Sequence, residues 1–179
     1  GNVFWDSPWG QGRPGWHIEC SAMSTKLLGD HFDIHCGGVD NIFPHHENEL
    51  AQSVGSNGKN FVNYWMHSEH LQLKGGKMSK TEGNFYTISD LKSKGYSPEE
   101  IRFVMLSAHY RTKLSFSIEQ CLEARPAIQR IASLYNRLIN IANGNLDKYN
   151  LPIEFQDFIK ALDNDLDTPK ALAIFFKWI

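Results

Sequence analysis

The pattern of apolar and polar positions divides the chain into a mixed first part and an all-helical last part. Up to about residue 120, helical stretches alternate with short β-like runs. Beyond Ile118, apolar residues recur at helical spacing, at Leu122, Ile128, Ile131, Leu134, Leu138 and Ile141. Helices that alternate with strands indicate an α/β sheet, whose ligands lie beyond the carboxyl ends of its strands. The pattern therefore predicts an α/β domain followed by a helical segment.

Glycine, proline and capping residues set the limits of the predicted elements. In the first part we predict, in chain order, a loop over 2–14, a helix over 16–28 ended by Gly29, a strand over 32–35, a tight turn at Gly37 and Gly38, a helix over 45–53 opened by Pro44, and strands over 61–66 and 71–73. Later helix starts are predicted at the capping box of Thr87 and Asp90, at that of Ser97 and Glu100, and at Thr168-Pro169.

Charge and cysteine content limit the function classes. A formal net charge of −2 argues against a generally basic coat for nucleic acid. One local exception lies between residues 71 and 94, a stretch that contains five lysines and only two acidic residues. A solvated lysine face is the alternative interpretation. The three cysteines are irregularly spaced and no apolar run has membrane-spanning length, so we expect a reducing cytoplasm and no membrane partner.

Three residues of the first part have the chemistry of a metal site. His45 and Glu49 are four residues apart on one face of a predicted helix, so both side chains can reach one ion. Cys20 adds a thiolate, and this mixture of ligands suits zinc better than magnesium or calcium. Considered alone, the cysteine is also typical of a small core residue, and the His/Glu pair is also typical of an exposed, hydrogen-bonded pair. A metalloprotease is excluded, because the second histidine that it needs would fall at Leu50.

A lysine-containing loop follows the strand predicted over 71–73. Lys77 and Lys80 frame the sequence Lys-Met-Ser-Lys after two glycines. Two ammonium groups placed in this way can stabilise the charge that develops on phosphate oxygens during nucleotidyl transfer. Four residues alone occur often by accident, so this interpretation depends on the neighbouring sequence.

The neighbouring sequence resembles that of the cysteinyl-tRNA synthetases. The similar stretches are collinear and cover essentially the whole chain: GWHIECSAM at 15–23, FPHHENE at 43–49, KMSK at 77–80, EGNF at 82–85, HYR at 109–111 and DTPK at 167–170. The resemblance implies a Rossmann-like class I catalytic domain. It implies the second half of that domain, with the zinc site, over 1–70, a lysine loop and stem-contact segment over 71–120, and the start of a helical bundle over 121–179.

The resemblance also implies roles for single residues. It implies that Cys20, His45 and Glu49 bind zinc, that Trp16 lines the cysteine pocket, and that Lys80 binds ATP with Lys77 beside it. The implied substrates are L-cysteine, ATP with magnesium, and the cysteine tRNA. The chain begins without methionine and ends within an apolar run, so we expect a piece of a longer enzyme that is inactive alone. Two alternatives stay open: a related ligase that passes cysteine to an amino sugar, and a non-catalytic module that binds zinc or tRNA.

Overall fold

The computed structural model describes residues 3–73, 86–142 and 153–179. The chain forms two compact units, Gly1–Ser68 and Glu69–Ile179. None of the helices within the described ranges combines the length and the apolar character that are needed to cross a membrane. The division predicted at residues 70 and 120 stays a prediction.

The first unit contains a hairpin and a strand–helix–strand motif. Its elements are β1 (Trp5–Ser7), β2 (Gly10–Gly12), α1 (Trp16–Leu28), β3 (Phe32–Gly38), α2 (Glu47–Asn57) and β4 (Val62–Ser68). The strands of the hairpin are antiparallel, whereas β3 and β4 are parallel and are connected through α2, which packs against α1. The carboxyl ends of β3 and β4 therefore lie side by side, as expected for a ligand-binding edge.

Aromatic packing at the start of the two strands fixes this arrangement. Phe61, immediately before β4, is fully buried, and its ring meets that of Phe32 edge to face at a centroid distance of 5.0 Å. Phe32 pairs with Val62, which sets a register in which His35 lies opposite Trp65 and Gly37 opposite His67.

The first unit departs from the sequence predictions in three places. Residues 5–12 form a hairpin rather than part of a loop, with the Ser7 hydroxyl donating to the Gly10 carbonyl at 2.6 Å. Gly37 and Gly38 end strand β3 rather than forming a tight turn. Helix α2 begins at Glu47 rather than at His45, and the extended backbone of Phe43 places a kink within residues 42–46 before it.

The second unit is mostly helical. Its elements are β5 (Leu71–Leu73), α3 (Ile88–Ser93), α4 (Pro98–Leu106), β6 (Leu114–Phe116), α5 (Ile118–Ala142), α6 (Ile153–Asp163) and α7 (Thr168–Trp178). Strands β5 and β6 are parallel. Both predicted capping boxes are present, at the starts of α3 and α4. A buried apolar cluster holds this unit together: Leu73, Leu91, Ile101, Val104, Phe116, Cys121 and Ala124.

A half-buried ion pair joins α4 to α5. Glu100, in the capping box of α4, accepts hydrogen bonds from Nε and Nη2 of Arg125, and the same guanidinium donates to the Gly95 carbonyl at 3.3 Å. Arg125, followed by the hydrogen bond from the Ser97 backbone, lowers the pKa of the Glu100 carboxyl. This single contact therefore connects a helix start, the turn before it and the following long helix.

A second polar contact ties the segment after α4 to the turn between α6 and α7. Asp165 and Leu166 both have positive φ angles, 56° and 55°. The Asp165 carboxylate accepts a hydrogen bond from the Tyr110 hydroxyl at 2.6 Å and lies 2.9 Å from Nε of Arg111. The backbone carbonyl of Asp165 forms a hydrogen bond with His109 Nε2 at 2.7 Å. These contacts stabilise a turn that is unfavourable for residues with side chains.

We expect the Glu100→Gln variant to unfold more easily than the unaltered protein at pH 7. Glutamine still caps α4 but carries no charge, and hydrogen bonds to charged groups contribute about 1.5–3 kcal/mol. Because the Arg125 side chain is 41% exposed and solvent screens its charge, we expect a smaller loss of about 1 kcal/mol. Since the pKa of Glu100 is lowered in the fold, the contribution is complete above its ordinary pKa and disappears as pH falls through the lowered value.

Urea unfolding at several pH values measures this difference. The matched control is Glu99→Gln, the same change at the exposed neighbouring position, which should alter stability by no more than about 0.5 kcal/mol. Equal effects of the two substitutions at pH 7 would contradict a stabilising role of the ion pair.

Candidate metal centre

A buried carboxylate lies at the centre of the site. Glu49, in the first turn of α2, has no solvent exposure, and within the described residues neither of its carboxylate oxygens has a hydrogen-bond partner. Burial raises the pKa of this carboxyl to about 7. An ionised carboxylate in such a place needs a compensating positive charge.

The two other predicted metal ligands lie next to Glu49. Single ligand atoms of Cys20, His45 and Glu49 all lie within 4.8 Å of one another, and His45 Nε2 is 3.7 Å from Glu49 Oε2. Burial, followed by the charges of Glu49 and Glu19, raises the pKa of the Cys20 thiol. A cation bound here would reverse this effect, because it favours the thiolate and the carboxylate together.

The His45 ring is held by two aromatic neighbours from the start of α1. Trp16 Nε1 donates to His45 Nε2 at 2.8 Å, and the Nδ1 atoms of His17 and His45 share a hydrogen bond of 2.9 Å. Burial, followed by the nearby His17, lowers the pKa of His45 and keeps its imidazole neutral. A metal ion at this ligand would therefore replace one of the two hydrogen bonds.

Two further histidines, His35 and His46, also lie next to Glu49. Nε2 of His35 is 3.1 Å from Glu49 Oε2, although without hydrogen-bond geometry, and Nε2 of His46 is 3.8 Å away from the same oxygen. Nδ1 of His46 shares a hydrogen bond of 2.7 Å with Nε2 of His67. Burial is the main cause that lowers the pKa of His46 to about 4, and neighbouring imidazoles add to it.

A glycine makes room for the His46 ring. A Cβ atom added at Gly37 would lie only 2.6 Å from Cε1 of His46. The ring also packs against Trp65, with a centroid distance of 5.0 Å. Strand β3 therefore needs glycine at this position because a side chain from the next segment occupies the adjacent space.

The donor set fits a zinc-like ion. It combines neutral imidazoles, one thiol and a carboxylate whose oxygens have no hydrogen bonds within the described residues. Such a mixture of ligands suits zinc better than magnesium or calcium. The structure brings together Trp16, Cys20, His45 and Glu49, four of the residues singled out from the sequence. The other two, Lys77 and Lys80, lie outside the described residues.

Sequence reasoning assigned no role to four further residues of the site: His17, His35, His46 and His67. His17 was missed although it lies one residue after Trp16 on α1. The signal for His35 and His67 was the pairing of two parallel strands, since their carboxyl ends meet at one edge.

One protein family and two of its relatives are similar to this chain in sequence. The family described as "tRNA synthetases class I (C) catalytic domain" matches residues 1–126. The cysteine–tRNA ligase of Brachyspira hyodysenteriae is 52% identical over 98% of the chain, and that of Chlamydia muridarum is 48% identical over all of it. The chain spans 38% and 39% of the lengths of these two relatives.

A solved structure agrees on the fold. The LeuRS of Agrobacterium radiobacter K84, crystallised in a ternary complex with tRNA and LeuAMS, superimposes on 97% of the chain with a TM-score of 0.71. This chain covers 28% of that protein, and the sequences are 11% identical, so the likeness concerns the fold alone. The predicted class I α/β fold with a helical last part is confirmed, and the chain belongs to the class I (C) tRNA synthetase catalytic-domain family.

Proposed function

We propose that the chain is part of a cysteine–tRNA ligase, which activates L-cysteine with ATP as cysteinyl-adenylate and transfers it to the cysteine tRNA. The observation that carries this proposal is the fully buried Glu49 carboxylate, with no hydrogen bond within the described residues, beside Cys20 and His45. The relatives named cysteine–tRNA ligase, about half identical over nearly the whole chain, support the same reaction.

In the proposed site Cys20, His45 and Glu49 hold a zinc ion. When bound, zinc provides a soft Lewis acid that favours a thiolate ligand over a hydroxyl, and this distinguishes cysteine from serine. The neutral state of His45 supports its role, since only an uncharged imidazole nitrogen can coordinate a metal. Such a contact favours one substrate strongly enough to make a separate editing step unnecessary.

Trp16 is well placed to line the pocket for the cysteine side chain. The residue is 59% exposed, and its Nε1 donates a hydrogen bond to His45 at 2.8 Å, so Trp16 borders the proposed ligand set and stays accessible. Its hydrogen bond to His45 fixes the orientation of the ring. The protein's contribution at this end of the substrate is therefore positioning.

The ATP end of the proposed site rests on the sequence. Lys80, with Lys77 beside it, would stabilise the charge on the phosphates of magnesium-bound ATP while the cysteine carboxylate attacks the α-phosphate and pyrophosphate leaves.

Residues 1–70 would belong to the catalytic domain, 71–120 would include the lysine loop and the contact with the tRNA stem, and 121–179 would begin a helical bundle. The absence of disulfides among Cys20, Cys36 and Cys121 is in keeping with a cytoplasmic protein.

An acceptor assay separates this proposal from the two alternatives. Full-length protein is incubated with labelled cysteine and ATP, and the label is followed into cysteine tRNA or into an amino sugar. We expect label in the tRNA only. Transfer to the amino sugar would replace the proposed acceptor, and absence of cysteine-dependent pyrophosphate exchange would overturn catalysis altogether.

We expect His45→Ala and Glu49→Gln, each in the full-length protein, to lower zinc content and to raise the KM for cysteine by at least about tenfold. The KM for ATP should change by no more than about twofold, because these residues hold the ion and not the nucleotide. Metal analysis and pyrophosphate exchange measure both effects. The control is His31→Gln, at an exposed histidine that bonds the Asn60 carbonyl. Equal weakening of both substrates, with zinc retained, would contradict the ligand assignment.

We expect Lys80→Ala to slow adenylate formation by about 10²–10³-fold and to leave zinc content unchanged. The reason is the loss of a preorganised charge where negative charge develops. Lys92→Ala, in the same lysine-rich stretch but on an exposed position of α3, is the matched control and should be almost neutral. If both variants were equally active in pyrophosphate exchange, the stretch would be only a solvated lysine face.

A further inference from the structure

Glu49 belongs to two sets of ligand atoms, and the proposed function uses only one of them. The second set consists of His35, His46 and Glu49, whose ligand atoms also lie within 4.8 Å of one another. His35 comes from strand β3 and His46 from the turn before α2. Both histidines approach Oε2 of the Glu49 carboxylate, the oxygen that also lies 3.7 Å from His45 Nε2.

The spacing of these atoms is that of a coordination sphere. With bonds of about 2.0–2.1 Å, two ligands of a tetrahedral zinc ion lie roughly 3.3–3.4 Å apart. The distances from Glu49 Oε2 to Nε2 of His35 and of His46 are 3.1 and 3.8 Å, on either side of this value. Small side-chain adjustments would place all three atoms at bonding distance of one ion.

The His46 ring is fixed before any ion binds. Its Nδ1 is engaged by His67 at 2.7 Å, which leaves Nε2 directed at the carboxylate. Gly37 and Trp65 both border the ring, since no Cβ fits at Gly37 and the centroid of the Trp65 ring lies 5.0 Å from that of the imidazole. A metal-binding histidine is commonly oriented by a hydrogen bond through its other nitrogen. His45 differs, because both of its nitrogens already have hydrogen bonds.

We infer that His35, His46 and Glu49 form a second binding position for a divalent cation of the zinc and cobalt class, distinct from that of Cys20 and His45. Two observations carry this inference: the ligand spacing of a set without Cys20 or His45, and the buried Glu49 carboxylate without hydrogen bonds in the described residues. Glu49 is common to both positions.

Cobalt(II) is the probe that distinguishes the two positions, because only a thiolate ligand gives the intense sulfur-to-cobalt charge-transfer band. In the Cys20→Ser variant we expect about one equivalent of cobalt to bind with visible d–d bands and without that band. Adding His35→Gln or His46→Gln to Cys20→Ser should weaken this binding at least about tenfold. Adding His45→Gln, or the exposed control His31→Gln, should leave it unchanged.

Three outcomes would overturn the second position. They are no cobalt binding by the Cys20→Ser variant, loss of binding with His45→Gln but not with His46→Gln, and equal loss with both, which indicates one common site. Far-ultraviolet circular dichroism checks that each variant is folded. X-ray absorption of the zinc-loaded Cys20→Ser variant needs no histidine change: two imidazole ligands support the proposal, and fewer than two contradict it.

Discussion

The first unit depends on one constraint, the placement of the Glu49 carboxylate where it has no solvent exposure and, within the described residues, no hydrogen-bond partner. Leaving an ionised carboxylate unpaired in such a place costs several kcal/mol, so the group either stays protonated or acquires a cation. The surrounding residues are consistent with the second choice when metal is available. Three histidines next to Glu49, His35, His45 and His46, are kept neutral mainly by burial. They therefore offer nitrogen lone pairs instead of competing positive charges.

Four separate segments are needed to build this environment. Helix α1 contributes Cys20 and the residues that orient His45, the turn before α2 contributes the two adjacent histidines, and strands β3 and β4 contribute His35 and His67. Because the strands are parallel and α2 connects them, all of these groups arrive at the same edge of the motif. Tertiary structure therefore creates a chemical property that no single segment has.

The sequence was most informative where a signal was local. Gly29 ends α1 as predicted, and the capping boxes at Thr87 and Ser97 start α3 and α4, because each depends on residues within one helical turn. Helical spacing together with the family resemblance placed Cys20, His45 and Glu49 in one group. The hairpin over 5–12 and the histidines of β3 and β4 were missed, since they depend on strand pairing. The strand at Gly37 was missed because glycine is usually a turn residue, whereas here it leaves room for the His46 ring.

The pairing of β3 with β4 also limits how this protein can change during evolution. His35 lies opposite Trp65 and Gly37 opposite His67, and successive residues of a strand point to opposite faces. An insertion or deletion of one residue in either strand would shift the register and turn one histidine to the wrong face. The exposed turn of the hairpin around Trp9 has no such restriction. Natural length variation among homologues should therefore accumulate there and be absent from the two strands.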